Sequence, residues 1–177
     1  LKGVSIIVKF LSYFVIICML LLRPLLAFAD QFKVVSIYDG DTITVAENGK
    51  EITIRLVGID APEISRNKEL PGQPFCLKSK EHLSSLVLNT VVHIKFYGKD
   101  ASGKSLGEIF ADEVNINIEM INAGLAEVYR GVTAVTLEIT AYRAAEKKAK
   151  EDARGIWELQ DQYFSPWDWR EMHNIGD

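Results

Sequence analysis

Between residues 32 and 59 the chain alternates polar and apolar positions or runs apolar in short stretches, the pattern of strands with a buried face. FKVVSIY (32–38) and TITVA (42–46) flank an Asp-Gly-Asp turn, and EITIRLVGI (51–59) follows Asn48-Gly49, a pair that favours a tight hairpin turn. Three strands joined by short turns predict a meander. The period then changes. In PFCLKSKEHLSSLVLN (74–89), Leu83, Leu86 and Val87 share one helical face, Pro74 suits a first helical position and Asn89 a stop. VVHIKFYG (91–98) and SLGEIFAD (105–112) return to strand around the turn ASG (101–103).

INIEMINAG (116–124) predicts a short helix closed by Gly124 in a left-handed cap. From 134 to 153, Ala141, Ala145, Ala149 and Ala153 recur four apart, Glu146 stands four before Lys150, and Gly155 ends the run. About five strands, one helix between the third and fourth and more after the fifth predict an α+β, mainly β fold: a five-stranded Greek-key barrel of the OB type with about three helices. Residues 30–160 form that domain, and 161–177 a tail in which SPWDWR (165–170) packs its tryptophans against the body.

Composition adds a compartment. Lys2 and Lys9 precede the apolar run FLSYFVIICMLLL (10–22), and Ala27-Phe28-Ala29 offers a small-x-small cleavage site. Residues 1–29 thus have the layout of a secretory signal peptide, with an uncleaved N-terminal membrane anchor as the other reading. An exported protein, periplasmic or secreted, is expected. Removing the leader takes Lys2, Lys9 and Arg23 from the 20 basic residues and leaves 17 against 24 acidic ones, about −7. That balance argues against a non-specific nucleic-acid coat, but not against an enzyme that touches a few phosphates. Cys76 is alone in the mature chain, so neither an intramolecular disulfide nor a zinc motif is expected. Nothing in the sequence asks for a protein partner, and a monomer is expected.

The candidate chemistry lies in two acidic stretches, YDGDT (38–42) and RLVGIDAPE (55–63). Asp41 starts one strand and Asp60 ends the next, and in a meander those ends share an edge. Two carboxylates there repel unless a cation lies between them, and hard oxygen ligands suit Ca²⁺ or Mg²⁺. The bend at Ala61-Pro62 can add a backbone carbonyl, and Glu63, past the rigid proline, is placed to hold a water. Arg55 lies five residues before Asp60, on the other face of a regular strand unless Gly58 supplies a bulge. Each stretch alone reads more readily as a solvated turn; their joint occurrence points to a site.

DGDT followed by RL(x)₃D(x)PE resembles the staphylococcal-nuclease (thermonuclease) family. GQPF (72–75), GEIFAD (107–112), INAGLAEVY (121–129) and ARGIW (153–157) extend the resemblance over about residues 32–160. It implies an OB barrel with a Ca²⁺-dependent phosphodiesterase site that cleaves DNA and RNA. By position, Asp41, Asp60 and the Ala61 carbonyl resemble the calcium ligands, and Asp39 matches an acid that assists them. Glu63 resembles the residue that activates water, and Arg55 the arginine that binds the scissile phosphate.

The pattern breaks on the phosphate side. Lys104 in DASGKSLG (100–107) stands where the family has a second arginine, and Ser102 where it has a tyrosine. Lysine is a mobile point charge where arginine offers a planar fork. Tyr129 is present in the nucleotide platform, but Arg130 and Val132 follow where tyrosines are expected; Arg130 can replace one by stacking or phosphate contact. Two functions therefore stay open: a Ca²⁺-dependent nuclease of reduced rate or shifted preference, and a catalytically weak module that binds nucleic acid or protein. His82, His93 and His173 lack the mutual spacing of a metal site or triad, and the acids around KKAK (147–150) mark a solvent face.

Overall fold

The computed structural model describes residues 31–65, 71–132 and 134–175. The leader and the middle of the loop 64–73 lie outside the described residues. No helix among those described is long and apolar enough to cross a membrane.

The expected meander forms from β1 (Gln31–Ile37), β2 (Thr42–Glu47) and β3 (Lys50–Leu56). Asn48 and Gly49 close the β2–β3 hairpin with φ of 50° and 77°, the left-handed pair that the turn requires. β5 (Val91–Lys99) pairs antiparallel with β1, and β6 (Ser105–Ala111) with β5. β6 then runs parallel to β3, matching Ile54 with Ser105 and Leu56 with Gly107, and this pairing closes the barrel. The expected OB-type barrel is borne out, with β7 (Val114–Asn115) added at its edge.

Inside, Val34, Ile43, Val45, Ile54, Leu56, Val92 and Ile109 are almost fully buried, contributed by alternate or near-alternate strand positions. Helix α1 (Cys76–Val87) covers one end with Leu83 and Val87, one helical turn apart. Each such side chain stabilises the fold by about 1.5–3 kcal/mol through burial. α1 begins two residues later than Pro74 suggested, because Phe75 is left-handed at φ 71° and cannot lie inside the helix. Helix α2 (Ile116–Asn122) adds Met120 and Ile121, and its buried Asn117 donates to the Val57 and Gly107 carbonyls. That bond pair pins the turn after β3 to β6.

The reading of 51–59 as one strand needs correction. β3 ends at Leu56, Gly58 turns the chain at φ +80°, and Ile59–Asp60 form a separate strand β4. β4 pairs with β8 (Glu127–Val128) rather than continuing the barrel. Gly58 is therefore a turn and not a bulge. A Cβ there would also stand 2.7 Å from the Leu137 side chain.

The helix expected over 134–153 is shorter, α3 (Ile139–Glu151), and realises the alanine pattern only in part: Ala145 and Ala149 are buried, Ala141 is exposed, Ala153 lies past the end at φ 48°, and Lys150 Nζ is 2.7 Å from Glu146. A 3₁₀ segment (Gly155–Gln162) and helix α4 (Pro166–His173) follow. The tail is thus not merely packed on the body. Ser165 caps α4 by accepting from the Asp168 N–H at 3.0 Å, with Pro166 in its first turn.

Candidate active site

The turn between β1 and β2 carries Asp39 and Asp41 on either side of Gly40. Asp39 accepts from the Asp41 N–H at 3.0 Å, which closes the turn, and the Asp41 carbonyl accepts from the Leu56 N–H at 2.7 Å. The Asp41 carboxylate turns inward: one oxygen takes the Thr42 hydroxyl at 2.8 Å, the other the Ala61 N–H at 3.0 Å. The two acidic stretches are therefore joined directly, twenty residues apart in sequence. Gly40 permits the approach, since a Cβ there would lie 2.8 Å from the Ala61 side chain and 1.8 Å from Ser79 Oγ. Ser79 has no room to yield, because its hydroxyl donates to the Leu125 carbonyl.

Asp41, Asp60 and Glu63 are all buried. Burial, and then the charge of Asp41, push Asp39 up to about 8. Asp60 is pushed up to about 7, again chiefly by burial, although Arg170 pulls the other way. Glu63 is held at its backbone by Gln73, which accepts the Glu63 N–H at 3.0 Å and donates to the Phe164 carbonyl at 2.7 Å. Gln73 so ties the loop after Asp60 to the start of the tail.

A residue that the sequence did not point to sits in the middle. Arg170, on α4, reaches both oxygens of Asp60 at 2.8 Å and one oxygen of Glu63 at 2.7 Å. It is only 4% exposed. Burial works against its charge, but Asp60 and then Glu63 outweigh that and hold it above the ordinary arginine range. Its partners lie more than a hundred residues earlier, so no local spacing announces it.

The expected phosphate-side residues occupy the neighbouring surface. Arg55 stands 3.5 Å from Asp100, whose other oxygen accepts from the N–H groups of Ser102 and Lys104 and from the Ser102 hydroxyl. Burial works upward on Asp100, but these bonds and the charges of Lys104 and Arg55 prevail and hold it below the usual carboxylate range. Lys104 Nζ donates to Ser102 Oγ at 2.9 Å. A cavity of about 490 Å³ opens here, lined among others by Arg55, Asp100, Leu106, Tyr129, Val132 and Trp167. Tyr129 faces Trp167 with ring centroids 6.2 Å apart. Arg130 turns away from this cavity to Glu127 and Asp168, at 3.1 and 3.3 Å. Of the tail tryptophans, Trp169 packs on Phe164 and His173, whereas Trp167 forms cavity wall.

The family model for staphylococcal nuclease homologues matches residues 53–159. The chain belongs to that family. Among its relatives, an uncharacterised endonuclease of Escherichia coli O157:H7 is 34% identical over 149 residues, 83% of this chain and 89% of its own. An uncharacterised endonuclease of Haemophilus influenzae is 35% identical over 145 residues, covering 81% and 75%. A micrococcal nuclease of Shigella flexneri is 33% identical over 154 residues, covering 81% and 83%. The family-matched stretch of this staphylococcal nuclease homologue holds Arg55, Asp60, Glu63 and Lys104. Asp39 and Asp41 lie before it, Arg170 and Trp167 after it.

Proposed function

We propose that the protein is a Ca²⁺-dependent nuclease that hydrolyses phosphodiester bonds of DNA or RNA. The observation that carries this reading is the bond from Ala61 N–H to Asp41, which joins the turn of Asp41 to the stretch of Asp60 and Glu63, all three acids being buried, while the cavity edged by Arg55 reaches Ile59, next to Asp60 in the chain. Family membership and relatives named as endonucleases support the same class of chemistry.

The donor set fits a hard cation. Carboxylate and backbone oxygens suit Ca²⁺, and the upward push on buried Asp60 and half-buried Asp39 describes a place where positive charge is favourable. Among the described residues no three acid, histidine or cysteine side chains stand where they could share one ion. Asp41 and Asp60 would hold it, with the Ala61 carbonyl and water completing the shell and Asp39 assisting. When bound, the ion supplies Lewis acidity toward a phosphate oxygen.

The chain's own residues do the rest. Glu63 orients a water and takes its proton as the water oxygen attacks phosphorus. Arg55 meets the charge that gathers on the phosphate oxygens as the bond to the 5′ oxygen breaks. Lys104 adds a second positive charge without the fork of an arginine. The cavity between Arg55, Tyr129 and Trp167 receives the nucleotide. The leader-like first 29 residues favour action outside the cytoplasm, periplasmic or secreted, or at the membrane where the leader is retained.

The decisive measurement is release of acid-soluble nucleotides from denatured DNA, with Ca²⁺ and then with a chelator. Turnover should vanish on chelation. Glu63→Gln should lower kcat by roughly 10²–10⁴, the usual worth of a positioned base, while calorimetry still detects Ca²⁺ uptake. Turnover that survives chelation rules out the roles of Asp41 and Asp60. Nucleic-acid binding without turnover under any divalent ion would make the protein a binding module instead.

A further inference from the structure

We propose that Arg170 is a positioning residue of this site: helix α4, outside the family-matched stretch, delivers a guanidinium that holds Asp60 and Glu63 in working register. The inference rests on the nuclease reading and adds a part to it. Arginine is almost never buried to this degree unless paired, and burying an ion pair for stability alone gains little, since apolar side chains of similar volume often do as well. The geometry is that of a fixture. Two nitrogens meet the two oxygens of Asp60 in the planar fork, and the one nearer Glu63 is shared with it. Arg170 meets each oxygen of Asp60 and Oε1 of Glu63. Carboxylate oxygens carry two lone pairs each, so one bond to each oxygen of Asp60 is compatible with a cation on the same carboxylate.

The helix itself is secured on the side facing the site. Ser165 caps it and is almost fully buried, and Gln73 clamps the residue before that cap to the Glu63 backbone. Trp167 lies between Tyr129 and the Arg170 guanidinium, at 6.2 and 6.0 Å. Three independent contacts thus fix where the guanidinium stands. A plug that leaves when metal arrives would not need them.

The test is the Ca²⁺ affinity of the full chain by calorimetry, for wild type, Arg170→Lys and Arg170→Ala, with turnover alongside. Outer partners of metal ligands are worth about 10–100-fold in metal affinity or activity. Both variants should therefore bind Ca²⁺ several-fold more weakly, although in the alanine variant a nearby positive charge has been removed. Turnover of the alanine variant should fall too and recover in part on adding guanidinium, but not ammonium, at equal concentration. Affinity that tightens would make Arg170 a tethered competitor of the metal, and unchanged affinity would make it a structural pair; either overturns the proposal. Circular dichroism and melting establish that each variant is folded, and Arg170→Lys, which keeps the charge, carries the test if the alanine variant is not. Wild type that binds Ca²⁺ yet never turns over would sink the nuclease reading, while the affinity comparison still decides the role of Arg170.

Discussion

Asp100 gathers the two cations beside the cavity, with Arg55 3.5 Å from one oxygen and the backbone of Ser102 and Lys104 on the other. Under the proposed function, this lets a lysine serve in a turn where the resemblance implies an arginine. The turn itself is held by Asp100, so the side chain at 104 is left to supply charge. Its ammonium donates to Ser102 Oγ and offers a point charge in place of the planar fork of an arginine. Losing one well-aimed donor to a transition state costs roughly 10²–10³ in kcat, and a mobile charge recovers part of it. Lys104→Arg should therefore raise kcat by roughly tenfold and leave KM little changed, because the added fork matters most when charge peaks on the phosphate. Steady-state kinetics on one oligonucleotide reads this directly. A fall in kcat would mean that Lys104 works in a pocket built for lysine.

The tail is the element that ties the site's supports together, and it is secured well away from Arg170 too. The Tyr163 hydroxyl donates to buried Glu127 at 2.5 Å, on the strand β8 that pairs with Asp60. Burial holds Glu127 above the ordinary glutamate range, with Tyr163 and Arg130 pulling back. A raised folded value means that the folded state keeps its proton to higher pH. That contribution to stability is complete below the unfolded glutamate range and is lost as pH rises through the raised value. Above it Glu127 is a buried carboxylate that depends on its donors. Tyr163→Phe should cost about 1–3 kcal/mol at pH 8, the worth of a donor to a buried charged acceptor, and clearly less near pH 4, where the acid supplies its own hydrogen. Thermal or urea unfolding at the two pH values checks the sign. The same elements show what was legible beforehand. Strands β1 and β2 show a period of two, β5 and β6 are long enough to read as strands between turn residues, and Asn48-Gly49 names its own turn. β4 and β8 have two residues each and no period to read. Ser165-Pro166 with Asp168 is a readable helix start, yet aromatic bulk in SPWDWR suggested packing alone. Asp41, Asp60 and Glu63 could be brought together because Asp60 and Glu63 share one short stretch and the order of strands brings the turn of Asp41 beside it. Arg170 could not, since a contact across more than a hundred residues leaves no mark in either segment.

At the scale of the whole molecule, the formal charge is −4, while the proposed substrate is a polyanion. Long-range attraction cannot then gather substrate, and binding has to come from a few local cations and the cavity. Arg55, Lys99, Lys104 and the proposed Ca²⁺ are positive groups near the proposed phosphate path, and under the same proposal Tyr129 and Trp167 add stacking that salt hardly affects. Each phosphate neutralised on a single strand contributes about −0.7 to the slope of log K against log salt, so two or three phosphates give roughly −1.5 to −2. Glu63→Gln permits the measurement with Ca²⁺ present and without turnover. Its affinity for a single-stranded oligonucleotide, followed between about 50 and 200 mM salt, should weaken by only about tenfold, against about 10³–10⁵ for proteins that neutralise six to ten phosphates. Trp167→Ala should then weaken binding by the about 1–3 kcal/mol of a stacked base without altering the slope, because it removes surface and no charge. A slope as steep as that of a nucleic-acid coat would place recognition on some basic face far from the acids, and the cavity beside Arg55 would lose its claim to the nucleotide.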